Sequence, residues 1–139
     1  MILLDTNVIS ELVRPVPEPA VQNFLRSRPP EELFTSAICE AEIRYGVARI
    51  PAGRRRDEVT ARILAFLAEA FAGQILPFDS GCAACFAEIR ASREARGKPI
   101  AVEDAMIAAT TAAHGATLAT RNLADFGDCG IEVVNPWQP

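Results

Sequence analysis

What this sequence lacks narrows its identity first. No stretch approaches the roughly 18 consecutive apolar residues of a membrane span. The start offers only Met1-Ile2-Leu3-Leu4 before Asp5, far short of the apolar core of a secretory signal. The chain is therefore expected to be cytoplasmic, away from membranes, with its cysteines reduced. Histidine occurs once, as His114. Cys82-Ala-Ala-Cys85 has the spacing of a redox or zinc pair, but a zinc site wants two more ligands and the histidine count is against it. Small buried residues on a helix face are the plainer reading. Nor is there an excess of base: 14 Lys and Arg stand against 18 Asp and Glu, a net charge of −4. That excludes a general nucleic-acid coat, which needs a basic surface. It leaves room for a nuclease, whose gathered carboxylates are neutralised by the metals they bind. Thirteen of the 14 bases are arginine, which suits phosphate contact.

What is present describes a folded chain. Half of its 139 residues are hydrophobic, and a domain of this length buries roughly 70% of its unfolded surface. Short apolar runs at 2–4, 33–35, 75–76, 117–119 and 131–134 read as strands. Between them lie helical periodicities at 8–13, 18–28, 37–50, 55–72, 80–96 and 103–114. Thr6 or Asn7, Ser36, and Asp79 or Ser80 stand as caps. Gly97 is a C′ residue and Gly115 ends the last helix. The long helix 55–72 carries Val59, Ile63, Phe66, Leu67 and Ala70 on one face. Continuous apolar strands alternating with helices predict an α/β fold, a short parallel sheet covered by helices on both faces. Ligands of such sheets bind at the carboxyl ends of the strands. That rule singles out Asp5 and the segment Thr120–Asp125.

Four acids stand out. Asp5 ends the first strand, where it is either a helix cap or a site residue. Glu42 shares a helical face with Ile38, Tyr45 and Arg49, an unusual setting for a surface acid, with an arginine salt bridge as the alternative. Asp104 enters the small-sided helix Val102-Glu103-Asp104-Ala-Met-Ile-Ala-Ala, either complementing the helix dipole or acting as a ligand. Glu103 can fill the dipole role. Asp125 follows the Thr117–Ala119 strand, as a loop residue or a site residue. Carboxylates that converge repel one another, so burying them together makes sense when a divalent cation holds them. Oxygen-only ligands favour Mg²⁺ or Mn²⁺.

Together the segments resemble the PIN-domain family, and within it the VapC-type toxins, FitB-like branch. The resemblance rests on Met1-Ile-Leu-Leu-Asp5-Thr-Asn7-Val-Ile-Ser10-Glu-Leu, on Ser36 through Glu42-Ile-Arg-Tyr-Gly46, and on Glu103-Asp104-Ala-Met-Ile-Ala-Ala109. It continues through Leu118-Ala-Thr120-Arg121-Asn122, Asp125-Phe126 and Val134-Asn135-Pro136-Trp137. It implies one PIN domain over residues 1–139, a PIN-like α/β/α sandwich, and endonucleolytic RNA cleavage by metal-activated water. Asp5 and Asp104 match the principal metal ligands, and Glu42 the acid that completes the site. Where the family often has a fourth acid this chain has Asn122; Asp125, about one turn on, is the carboxylate available to bring that charge. Thr6, Asn7, Thr120 and Asn122 match positions near the metal or the scissile phosphate. The resemblance further implies a type II toxin–antitoxin pair with a small VapB- or FitA-like antitoxin. Operator DNA is then reached only through that antitoxin, and the toxin forms a homodimer within a larger assembly.

Two rival readings follow from the residues. A weakly catalytic PIN domain acting in an autoregulatory complex with its antitoxin and DNA is favoured by Asn122. A phosphatase using Asp5 as nucleophile wants a second Asp two residues on, where Asn7 stands. RNA must also reach an acidic site. Arg90, Arg93, Arg96 and Lys98, or Arg54-Arg55-Arg56, can contact phosphates or be ordinary solvated helix faces.

Overall fold

The computed structural model describes all residues, 1–139. Its strands are β1 (Ile2–Leu4), β2 (Leu33–Ser36), β3 (Ile75–Leu76), β4 (Thr117–Ala119) and β5 (Glu132–Val134). They lie in the order β3-β2-β1-β4-β5, and every pairing is parallel. Around them run α1 (Thr6–Leu12), α2 (Pro19–Arg26), α3 (Ala37–Ala48), α4 (Arg54–Ala70), α5 (Ser80–Ala95) and α6 (Val102–Ala113). Two 3-10 turns, Pro30–Glu32 and Leu123–Phe126, were not foreseen.

The central strand explains the sandwich. Successive strand side chains point to opposite faces. Ile2 and Leu4 pack with Val8, Ile9, Val21 and Phe24, whereas Leu3 packs with Ile107, Ala108 and Leu118. With both faces apolar, β1 must be covered on both, so the expected helix layers form. Gly97 and Gly115 adopt φ of +70° and +61° just past α5 and α6. Residues with a Cβ avoid that conformation, so these two glycines stop the helices where the sequence pattern placed the stops.

Three expectations need correction. The first helix starts at Thr6 and is capped by Asp5, not by Thr6 or Asn7. Asp5 has the extended backbone of a cap, and its carboxylate accepts from the Thr6 amide. Strand β2 runs one residue further, to Ser36, which also caps α3. The apolar face of α4 is only partly used: Leu67 is buried, Ile63 and Phe66 are half-buried against the core, and Ala70 is exposed.

The sheet order sets the position of a cleft. From β1 the chain proceeds outward to β2 and β3, and from β4 it proceeds the other way to β5. The direction reverses between β1 and β4, and crevices open at the carboxyl side of such a reversal. Asp5 stands there, its amide donating to the Ala119 carbonyl at 2.9 Å.

Candidate active site

Asp5 is buried, 5% exposed, and four donors surround its carboxylate. Oδ1 accepts from the Thr6 amide at 2.8 Å and faces the Cys39 thiol at 3.9 Å. Oδ2 accepts from the Thr120 hydroxyl at 2.7 Å and from Asn7 Nδ2 at 3.4 Å. The residue that follows β1 is thereby tied to β4, α1 and α3 at once. Thr120 is itself held, accepting from the Asn122 amide at 3.1 Å and from Asn7 Nδ2 at 3.2 Å. The other end of the Asn7 side chain accepts from the Arg121 amide at 3.3 Å. A carboxylate with its donors fixed in this way has little freedom to turn.

Glu42 reaches the same place from α3. Its Oε1 accepts from the Thr6 hydroxyl at 2.9 Å, so Thr6 bridges Asp5 and Glu42. The helical face proposed for Glu42 is not the buried one: Tyr45 is 65% exposed, and α3 buries Cys39, Ile43 and Val47 instead. Glu42 sits half-buried at the edge of that stripe. Potential ligand atoms of Asp5, Cys39 and Glu42 all lie within 4.8 Å of one another. Asp104, in the first turn of α6, lines the same cleft, a space of about 370 Å³. Thr6, Asn7 and Asn122 line it too, joined by Ser10, Arg121 and Trp137, which the sequence pattern had not marked as site residues.

The electrostatics are those of acids packed together with no base paired to them. Burial pushes the Asp5 carboxyl above its ordinary value, against the opposing pull of its hydrogen bonds from Thr120 and Thr6. Burial, with the charges of Asp5 and Glu103, does the same to Glu42. Asp104 rises to about 6, through burial first and then the charges of Asp5, Asp125, Glu42 and Glu103. None of the six ion pairs in the structure includes Asp5, Glu42 or Asp104. The arginine salt bridge considered for Glu42 does not form.

This donor set fits a hard divalent cation. Carboxylate oxygens on a rigid frame, short of positive charge, are what Mg²⁺ and Mn²⁺ take. The Cys39 thiol, pushed up to about 11 by burial and by Asp5, donates to Asp5 Oδ1, and its soft sulfur suits Mg²⁺ less than the carboxylate oxygens do.

Other expectations separate from the site. Asp125 is exposed and outside the cleft lining, close enough for its charge to raise Asp5 and Asp104. Arg93 is no phosphate hook: it is 6% exposed, and its guanidinium donates to the carbonyls of Lys98, Asp125 and Gly127. Arg96 and Lys98 pair with Asp128, Arg90 with Glu94, and Arg54 with Glu58. The proposed basic stripe on α5 is thus neutralised or inward-facing. Cys82 is buried and Cys85 half-buried on α5, and both are free thiols.

Comparison with known proteins agrees with this geometry. The family model for the PIN domain matches residues 2–127. The chain is 42% identical to the VapC ribonuclease Y4jK of Sinorhizobium fredii, over all of this chain and 99% of that one. It is 44% identical to Toxin FitB of Neisseria gonorrhoeae over 99% of each. Among solved structures, FitAB bound to the IR36 DNA fragment contains a chain that superposes with a TM-score of 0.92. The two are 44% identical, with 100% of this chain and 97% of that one covered.

Proposed function

The chain belongs to the PIN-domain family, and from that premise we propose that it is a divalent-cation-dependent endoribonuclease, the toxin of a type II toxin–antitoxin pair. One observation carries the nuclease reading. Asp5, Glu42 and Asp104 converge on a single cleft at the sheet's reversal point, all with raised proton affinity and none paired to a base.

Asp5, Glu42 and Asp104 would hold Mg²⁺, or Mn²⁺ in its place. When bound, the cation supplies a hydroxide nucleophile at neutral pH and neutralises charge on the phosphate in transfer. The remaining work falls to the chain. Thr120 and the Thr6 amide fix the two oxygens of Asp5, while the Thr6 hydroxyl sets Glu42 at a constant distance from it. Asn7 locks Thr120 and the Arg121 backbone into the same network, so β1 and β4 cannot shift apart at the cleft. Asn122 brings an amide and no charge to the cleft, and Asp125 stays outside it, so the set suits one cation.

The partner reading rests on similarity and charge. FitAB meets DNA as an assembly, and the net charge of −4 here suits contact with operator DNA through a small basic antitoxin rather than directly. A homodimer within that assembly completes the proposal.

The test is cleavage of RNA by the purified chain. Cutting is expected with Mg²⁺, none in chelator, and none from an Asp5→Asn protein that still melts cooperatively. If folded Asp5→Asn protein cuts RNA as fast as wild type with metal present, the nuclease reading is wrong. Expression alone should stop growth, and co-expression of a small neighbouring reading frame should restore it.

A further inference from the structure

The cleft that would take RNA is lined by three carboxylates and a single base, Arg121. Arg121 is exposed and makes no ion pair. Its guanidinium instead lies over the indole of Trp137, 4.9 Å from the ring centroid. Trp137 is the only tryptophan in the chain. It is half-buried, packed against the core cluster of Leu4, Val8 and Phe24, and it also lines the cleft. Its amide is held by Asn135 Oδ1 at 2.9 Å. The Arg121 amide is held by the same Asn7 side chain that braces Asp5. The pair is therefore built into the frame of the acidic cluster.

A guanidinium that makes no ion pair and is laid over a fixed indole is a combination that takes an unstacked nucleotide. The base stacks on the guanidinium plane, which the indole backs from the side of the core. Packing against the core leaves the indole little rotamer freedom to lose on binding. Resting on the nuclease reading above, we propose that Arg121 and Trp137 form a one-nucleotide stacking site at the edge of the cleft. It holds the base next to the scissile phosphate and restricts the substrate to single-stranded RNA. The site also resolves how RNA approaches three carboxylates, because Arg121 is the one positive group the cleft itself presents.

The single tryptophan supplies the test. Oligouridylate is titrated into the wild-type chain with Ca²⁺ in place of Mg²⁺, to bind without cutting, while Trp137 fluorescence is followed. The comparison probes are an abasic oligonucleotide of equal length and charge, and duplex RNA. Saturable quenching by oligouridylate, with little from the abasic strand or the duplex, is expected. Equal quenching by all three overturns the stacking site, since charge alone would then explain it. No quenching by a chain that still cuts RNA in Mg²⁺ overturns it and leaves the nuclease reading standing. Neither quenching nor cutting overturns both.

Kinetics give a second readout. Trp137→Leu should raise KM about tenfold, in line with the loss of one stacking platform, with kcat nearly unchanged. Trp137→Phe should recover most of the loss. A fall in kcat at constant KM would instead mark the indole as structural and overturn the proposal. If Trp137→Leu does not fold, Arg121→Ala takes its place, with a higher KM expected and an unchanged KM counting against the site.

Discussion

Replacing Asp104 with asparagine removes a charge that the fold places among other acids without a base to answer it. The carboxyl titrates at about 6 against an ordinary 3.8, because of burial and then the charges of Asp5, Asp125, Glu42 and Glu103. At about 1.4 kcal/mol per pH unit, this would cost a dry site ~3 kcal/mol when ionised. Asp104 is only half-buried, so solvent screening reduces the figure to about 1–1.5 kcal/mol. Asparagine keeps the shape and drops the charge. In chelator at neutral pH, Asp104→Asn should therefore melt about 3–5 °C above wild type, given an unfolding entropy near 2.1 cal/mol/K per residue. The sign follows from the raised value. The native state holds its proton more tightly, so the stability of wild type is greatest below the unfolded carboxyl's value and falls as the pH rises to about 6. The gap between the two proteins should close near pH 4 and be complete above about pH 6. Mg²⁺ should reverse the order, since ligand binding stabilises the protein that binds it. Thermal melts across pH, with and without Mg²⁺, read all of this. An Asp104→Asn protein that melts below wild type in chelator at neutral pH would refute the reasoning, because the carboxylate would then be making a net favourable contact.

Other perturbations separate frame from site. Asn122→Asp should raise Mn²⁺ affinity and add a second, weaker binding step in calorimetry, by restoring a charge to the cleft. Arg93→Met should lower stability by about 3 kcal/mol, as three carbonyls lose their donor, without changing KM for RNA relative to the folded fraction. Thr120→Val removes the 2.7 Å bond to Asp5. It should reduce kcat more than KM in an RNA-cleavage assay, at a cost of about 1–3 kcal/mol in stability. Cys39→Ala should leave Mg²⁺-supported cleavage within a few-fold of wild type, because a soft sulfur is a poor partner for Mg²⁺ beside carboxylates.

How far these features were legible from the residues depends on the range of the interaction. Ile2-Leu3-Leu4 reads as a buried strand because its apolar run is uninterrupted, and Asp5 ends it, so both the fold class and the first site residue follow locally. Ser36, Gly97 and Gly115 carry their caps and stops in their own side chains, or in the lack of one. Glu42 was found for a reason the structure does not support. Its helix buries the slim stripe of Cys39, Ile43 and Val47, while the larger Tyr45 faces water. Arg93 looked like a member of a basic stripe because arginine is mostly solvated. Its burial depends on carbonyls more than thirty residues away, at Asp125 and Gly127, which no periodicity contains. Cys39 and Trp137 were missed for the same reason. Cys39 is brought against Asp5 by the meeting of α3 with the end of β1, and Trp137 is brought to the cleft by the C-terminal segment. The sequence order of these segments carried a family resemblance, but their mutual distances did not show in it.

Direct titration of the purified chain with Mn²⁺, followed by calorimetry or by the loss of free-ion paramagnetic signal, bears most immediately on whether this acidic cluster is a metal centre. Saturable binding with one cation per chain is expected for wild type. Asp5→Asn and Asp104→Asn should each weaken it severely, and RNA cleavage should decline in parallel. A wild-type chain that shows no saturable binding, yet cuts RNA undiminished in chelator, would contradict the account.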